Sequence, residues 1–237
     1  MTKQQLIYEN VQAVKERIEN AAKKAGRNPE DIHLVAATKM NDAECVKAAI
    51  KAGIKIAGEN RVQELIEKYE QNAYEGANLH FIGSLQTNKV KFLVGKVQLI
   101  QSVDSEKLAG VIAKYAQKNG ICQDILLEVN IAKEASKSGI YPEALPEIIE
   151  NLCNIDGLRI RGLMAIPPIS HFIGENLCHF DKMRELFIDI SQKKYDNVSM
   201  DFLSMGMSGD FEDAISCGSN MVRVGTAIFG ARPYMIK

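Results

Sequence analysis

Hydrophobic positions along the chain follow two periods in alternation. Residues 3–25 carry Leu6, Ile7, Val11, Val14, Ile18, Ala21, Ala22 and Ala25 at helical spacing, and Gly26 then supplies a stop. After Gly26 short apolar runs alternate with helix-period stretches. The runs are 33–38, 54–58, 79–83, 97–103, 125–130, 158–164, 201–204 and 221–224. The helix patterns between them cover 42–52, 61–69, 106–117, 142–152 and 175–192, with shorter segments at 87–94 and 211–217. Asn60 is positioned to cap the second of these helices, and Pro142 suits a first helical turn.

None of the eight runs joins the next through a two-residue hairpin turn, and strand–helix–strand repetition requires parallel strands. The pattern predicts an α/β fold, a (β/α)₈ barrel of the TIM type with an extra N-terminal helix. The 237 residues are close to the ~250 that such a barrel uses. A doubly wound open sheet is the competing architecture. No Pro/Gly/Ser linker or low-complexity tract divides the chain, so residues 1–237 read as a single domain.

Composition narrows the function classes. Charged residues make up 25% and the net charge is −1, which gives no electrostatic footprint for nucleic acid or anionic membrane. The N-terminus lacks an apolar core of signal length, and no run reaches the ~18 residues of a membrane span. A cytoplasmic location is expected. Cys45, Cys122, Cys153, Cys178 and Cys217 are widely spaced and contain no C-x-x-C pair. His171 and His179 lack the spacing of a helical metal pair, and no metal is expected.

In a parallel barrel, ligand-binding groups gather where the strands end. Lys39 follows the apolar run HLVAAT, so its ammonium is placed at the barrel mouth. Partial desolvation there exposes a nucleophilic amine, the requirement for a Schiff base with an aldehyde. A solvated loop lysine is the alternative. Ser204-Met-Gly-Met-Ser208 follows the seventh run, and Gly225-Thr226 follows the eighth. Two small glycine-bearing turns at these strand ends suit a phosphate, with Gly206 allowing close backbone approach. Arg223 could face a heterocycle nitrogen or a carboxylate, or form a salt bridge under the barrel. A lysine with a phosphate cup admits pyridoxal 5′-phosphate (PLP) or a sugar phosphate, as in a lysine-dependent aldolase.

Seven ordered segments carry a family resemblance: LVAATK, GENRVQE at 58–64, HFIGSLQTNK at 80–89, SKSG at 136–139, RGLMAIPP at 161–168, LSMGMSGD at 203–210 and VRVGTAIFGAR at 222–232. Together they resemble the YggS/PROSC family of PLP-homeostasis proteins, which is similar to the alanine racemase N-terminal domain. The resemblance implies PLP bound as a Schiff base on Lys39. It implies a phosphate held by Ser204 and the Gly225-Thr226 turn, with backbone atoms of Gly206 and Met207 assisting. It further implies Arg223 near the pyridine nitrogen, Asn60 on the ring side of the cofactor, and Met164 and Ser84 in the pocket wall. Lys137 is similar to a second lysine linked to cofactor handling. Two positions depart from the family pattern. Met40-Asn41-Asp42 replaces a T-K-P continuation, so a nearby second lysine is absent, and Leu79 stands where many relatives carry Trp.

Racemisation needs two bases on opposite faces of the substrate carbon, and racemases of this resemblance take the second from a separate β-domain. With Lys237 only seven residues after Gly230, that domain is not expected here. The expected role is therefore intracellular PLP (vitamin B6) homeostasis, buffering or delivering the cofactor, with PLP-dependent apo-enzymes as recipients and a monomeric protein. A PLP-dependent amino-acid enzyme, such as a weak racemase, is the alternative, with the aldolase more distant.

Overall fold

The computed structural model describes residues 2–230. Ala231 and Arg232, at the end of the 222–232 motif, lie outside the described residues, as does the chain end at Lys237. Eight parallel strands, β1 (His33–Ala37), β2 (Ile56–Glu59), β3 (Asn78–Phe81), β4 (Leu99–Val103), β5 (Gln123–Val129), β6 (Leu158–Ala165), β7 (Val198–Ser204) and β8 (Met221–Val224), close into one barrel in sequence order. Helices α1 (Lys3–Lys24), α2 (Ala43–Lys51), α3 (Val62–Glu70), α4 (Glu106–Lys118), α5 (Leu145–Leu152), α6 (Leu177–Ser191), α7 (Phe211–Ser216) and α8 (Thr226–Phe229) flank it. The barrel prediction is met, and the open-sheet alternative is excluded by the β1–β8 pairing, which places Val35 opposite Arg223.

Parallel strands covered on both faces read as continuous apolar runs, which is why the runs located them. One face fills the barrel with Val35, Ile56, Ile82, Leu99, Leu126, Met164 and Met221. The other packs against the helices. The extra helix α1 is set by a reciprocal cap, in which Thr2 Oγ1 accepts from Gln5 N and Gln5 Oε1 accepts from Thr2 N. Its buried face of Ile7, Val11, Val14, Ile18 and Ala22 lies on α2, α7 and α8. It therefore covers the seam where β8 meets β1, and each buried aliphatic side chain contributes about 1.5–3 kcal/mol.

Four details differ from the sequence reading. β7 starts at Val198, earlier than its apolar run at 201–204, because its first residues are only half-buried and Ser199, bonded to Asp201, interrupts the apolar pattern. The 87–94 segment is a 3₁₀ turn, Thr87–Phe92. The 142–152 segment splits into a 3₁₀ turn at Pro142–Ala144 and α5, in whose first turn Pro146 sits. Asn60 does not cap α3: the capping position is Arg61, which makes no side-chain cap bond.

The β6–β7 register shifts between Ile160 and Gly162. Gly162 has φ +143°, and a Cβ there would overlap the Phe202 carbonyl. Gly162→Ala is expected to destabilise the protein by about 1–3 kcal/mol, measured as a lowered urea midpoint. An unchanged midpoint would show that the bulge does not need glycine.

A candidate cofactor site at the barrel mouth

The turn that carries Lys39 is held from both sides. Thr38, just before it, is buried; its amide donates to the Gly58 carbonyl (2.9 Å) and its hydroxyl to Glu59 Oε1 (2.6 Å). Its carbonyl accepts from Lys68 Nζ at 2.9 Å. Met40, just after Lys39, donates its amide to Glu64 Oε2 at 2.7 Å, and its φ of +61° marks a tight reversal. Lys68 also reaches both carboxylates, Glu59 at 2.6 Å and Glu64 at 3.6 Å. Glu59 is fully buried, and Tyr74 OH donates to the same Oε1 at 3.1 Å. Burial beside that carboxylate raises the Tyr74 phenol far above its ordinary range, so it stays a donor. The GENRVQE segment thus supplies two carboxylates to the lysine turn.

Lys39 itself is half-buried. The β8 end lies beside it: the Cα of Gly225 is backed by Ala37, whose Cβ and carbonyl oxygen would stand 3.4 Å from any Cβ placed there. Ser208 Oγ accepts from the amides of Gly225 (3.2 Å) and Ala227 (3.4 Å), so the two glycine-bearing turns meet. Gly206 has φ +93° and its Cα faces Ala214 and Phe211, where no side chain fits. Met207 N donates to Asp210 Oδ1 at 2.7 Å. Thr226 is exposed at the start of α8.

A polar line crosses the barrel interior from Arg223. Its Nη2 donates to the Ala165 carbonyl (2.8 Å) and its Nη1 to Ser204 Oγ (2.6 Å). Ser204 donates onward to Gln101 Oε1 at 2.7 Å, and Gln101 Nε2 lies 2.9 Å from His80 Nδ1. Burial lowers the Arg223 guanidinium to about 10 while Glu128 and Asp210 hold it up, so it stays charged at neutral pH. Burial also pushes His80 down to about 3, which keeps this imidazole neutral.

Of the residues predicted from sequence, Lys39, Gly225 and Thr226 are gathered at the β1 and β8 ends. Arg223 and Ser204 bond to each other. Met164 lies in the barrel interior, Ser84 is exposed beyond β3, and Lys137 sits on the loop after β5. Asn60 Oδ1 is buried at the mouth without a hydrogen-bond partner among the described residues, an acceptor awaiting a donor. Sequence reasoning missed Glu64, Lys68, Tyr74, Gln101 and Glu128, and marked Glu59 only as a polar residue closing its apolar run. The signal for Glu64 was its place in the GENRVQE motif.

These residues fit PLP. An amine turn, a buried cation, an unpartnered amide oxygen and two touching glycine turns match the aldehyde, ring and phosphate of that group.

Two replacements probe the arrangement. Lys68→Ala leaves Glu59 buried without its cation and should cost about 3–5 kcal/mol of stability; Lys68→Met with Glu59→Gln should recover most of it in urea unfolding. A single-variant loss no larger than that of an exposed pair would contradict this. Glu128, buried on β5, has its carboxyl pushed up to about 7, by burial first, with Asp104 adding and Arg223 opposing. The folded protein then holds a proton that the unfolded chain has lost, so stability falls as pH rises from about 4.5 to about 7. Glu128→Gln should match the native protein in acid and exceed its stability above that window. A pH-independent difference in urea midpoints would refute the assignment.

The family described as alanine racemase, N-terminal domain, matches residues 10–233. The pyridoxal phosphate homeostasis protein of Aquifex aeolicus is 45% identical over 95% of this chain and 98% of its own length. The Escherichia coli K12 protein of the same name is 37% identical over 98% and 99%. Among solved structures, a protein from Bifidobacterium adolescentis superposes with a TM-score of 0.90 at 37% identity, covering 95% of each chain. PipY of Synechococcus elongatus PCC7942, solved with PLP bound, superposes with a TM-score of 0.78 at 32% identity, over 90% of this chain and all of PipY. A Clostridium difficile alanine racemase, 16% identical with a TM-score of 0.68, shares the fold over 58% of its length. Matched nearly end to end on this barrel, the chain belongs to the family of pyridoxal phosphate homeostasis proteins.

Proposed function

We propose that this chain is a single-domain PLP-binding protein that holds the cofactor on Lys39 and serves intracellular PLP homeostasis, buffering the cofactor or delivering it to PLP-dependent apo-enzymes. The observation that carries the lysine assignment is the clamp on residues 38–40, which fixes the backbone on both sides of Lys39 through Glu59, Glu64 and Lys68. A clamped backbone limits the positions open to the Lys39 amine. When bound, PLP supplies an aldehyde for reversible attachment to an amine and a ring that withdraws electrons.

The chain's own groups have distinct tasks. Lys39 offers the nucleophile. The amides around Gly225 and Thr226, with Gly206 and Met207, border the phosphate end, while the buried Ser204 hydroxyl, engaged by Arg223 and Gln101, acts through Arg223 rather than on the phosphate. Arg223, charged and anchored by Ser204 and Ala165, stands where a pyridine nitrogen would meet a cation and so remain unprotonated. An unprotonated ring is a poorer electron sink, which favours a carrier over an amino-acid enzyme. Asn60 Oδ1 faces the ring side, and Met164 forms the floor. The resemblance and the near-full-length identity to homeostasis proteins support the same reading. A cytoplasmic monomer is the form proposed. No helix among the described residues is long and apolar enough to cross a membrane.

Protein purified without added cofactor should absorb in the visible, keep the label on the Lys39 peptide after borohydride reduction, and lose the colour in Lys39→Ala. Adding amino acids one at a time should give no steady product, whereas Arg223→Glu should alter the ring's protonation spectrum. A colourless protein that takes up no added PLP would overturn the cofactor reading, and steady racemised product would replace the carrier with an enzyme.

A further inference from the structure

A cleft of about 290 Å³ opens at the carboxyl end of β5, lined by Glu128, Asn130, Ser136, Lys137, Ser138 and Ile166. It is a built site. Asn130 is buried; its Nδ2 donates to the carbonyls of Glu134 (2.9 Å) and Lys137 (3.2 Å), and its Oδ1 accepts from Glu134 N (3.2 Å). Gly139, at φ +115°, lets the returning chain lie directly on Asn130, where a Cβ would stand 2.7 Å from its amide. The loop is therefore pinned over the strand end.

The charges inside the cleft are unequal. Lys137 is neutralised by Glu134 at 2.7 Å. Glu128 is only 7% exposed, yet its carboxylate has no hydrogen bond and no ion pair within the described residues. A buried carboxylate facing a cleft without a donor is costly unless a ligand supplies one. The carbonyl of Glu128 is already engaged with Ile140 N, so the side chain alone faces the cleft.

We propose that this cleft binds the ammonium group of a small primary amine, an amino acid above all, with Glu128 as its counter-ion. Its volume suits a small molecule rather than a protein segment. Glu128 pairs in register with Met164, and Arg223 acts on it through space, so the cleft borders the pocket assigned to PLP. That adjacency rests on the proposed function, and it would bring an amine to the cofactor's side. The ionisable groups around Glu128 are Asp104 beyond β4, Arg223 on β8, Glu134 and Lys137 on the loop, and His179 on α6 behind them. Only ionised Glu128 attracts an ammonium, so binding should strengthen as pH rises through about 7.

The test is a nuclear magnetic resonance titration of the full-length, borohydride-reduced protein, in which any lysine–cofactor bond can no longer exchange. The probes are n-propylamine, L-alanine and, as the anion control, propionate. Saturable shifts at Glu128, Ser138 and Ile166 with propylamine and alanine support the site. Glu128→Gln should weaken both by roughly tenfold or more, and acid should do the same to the native protein. A response to alanine with none to propylamine would overturn Glu128 as the anchor of the ammonium. No localised shift, an equal response to propionate, or unchanged binding in Glu128→Gln would overturn it. The mass and absorbance of the reduced protein report the cofactor separately, so amine binding by a protein without PLP would keep the subsite and remove only its link to the cofactor.

Discussion

The ion pair between Glu59 and Lys68 is the interaction on which the mouth of this barrel depends. Both groups are buried, and their removal from water costs several kcal/mol each unless the geometry returns it. Here Glu59 Oε1 accepts from Lys68, Thr38 and Tyr74 together, and Lys68 also binds the Thr38 carbonyl. Hydrophobic side chains of equal volume could pack the same space. They could not grip a backbone carbonyl and a hydroxyl in the residue before Lys39. The pair is thus better understood as a device for position than as a source of stability.

Barrel closure gives that position its use. Because β8 pairs with β1, the Lys39 turn and the Gly225 turn face each other although they are far apart in sequence. The same closure turns Arg223 inward, where Ser204 and the Ala165 carbonyl fix its fork and Gln101 and His80 extend the line. His80 stays neutral, so it adds no second cation to the interior. The amine follows β1, the cation and one glycine turn belong to β8 and its end, and the other glycine turn follows β7, yet all are referred to one closed frame.

The fold was legible wherever burial on both faces made a strand uniformly apolar. It was less so in β7, where Ser199 and Asp201 bond to each other and Asp201 serves Arg161. Strand-end residues such as Lys39, Ser204 and Arg223 could be picked out because a parallel barrel collects function at that rim. Lys68 and Tyr74 could not, since each looks like an ordinary helix-face or loop residue until folding brings it to Glu59. Asn60 misled in a particular way. Its residue type suits a helix cap, but the chain continues extended through Arg61, and the Asn60 amide is left at the mouth instead. Glu128 was hidden inside an apolar strand, and the folded barrel shows that its carboxylate has no hydrogen-bond or ion-pair partner among the described residues.

The most direct measurement is a crystal structure of the protein grown with PLP. The account predicts continuous density from Lys39 Nζ to the cofactor, the phosphate at the Gly225–Thr226 turn, and the Arg223 guanidinium at the ring nitrogen. Density for PLP on another lysine, or a ring turned so that Arg223 meets the phosphate, would contradict it.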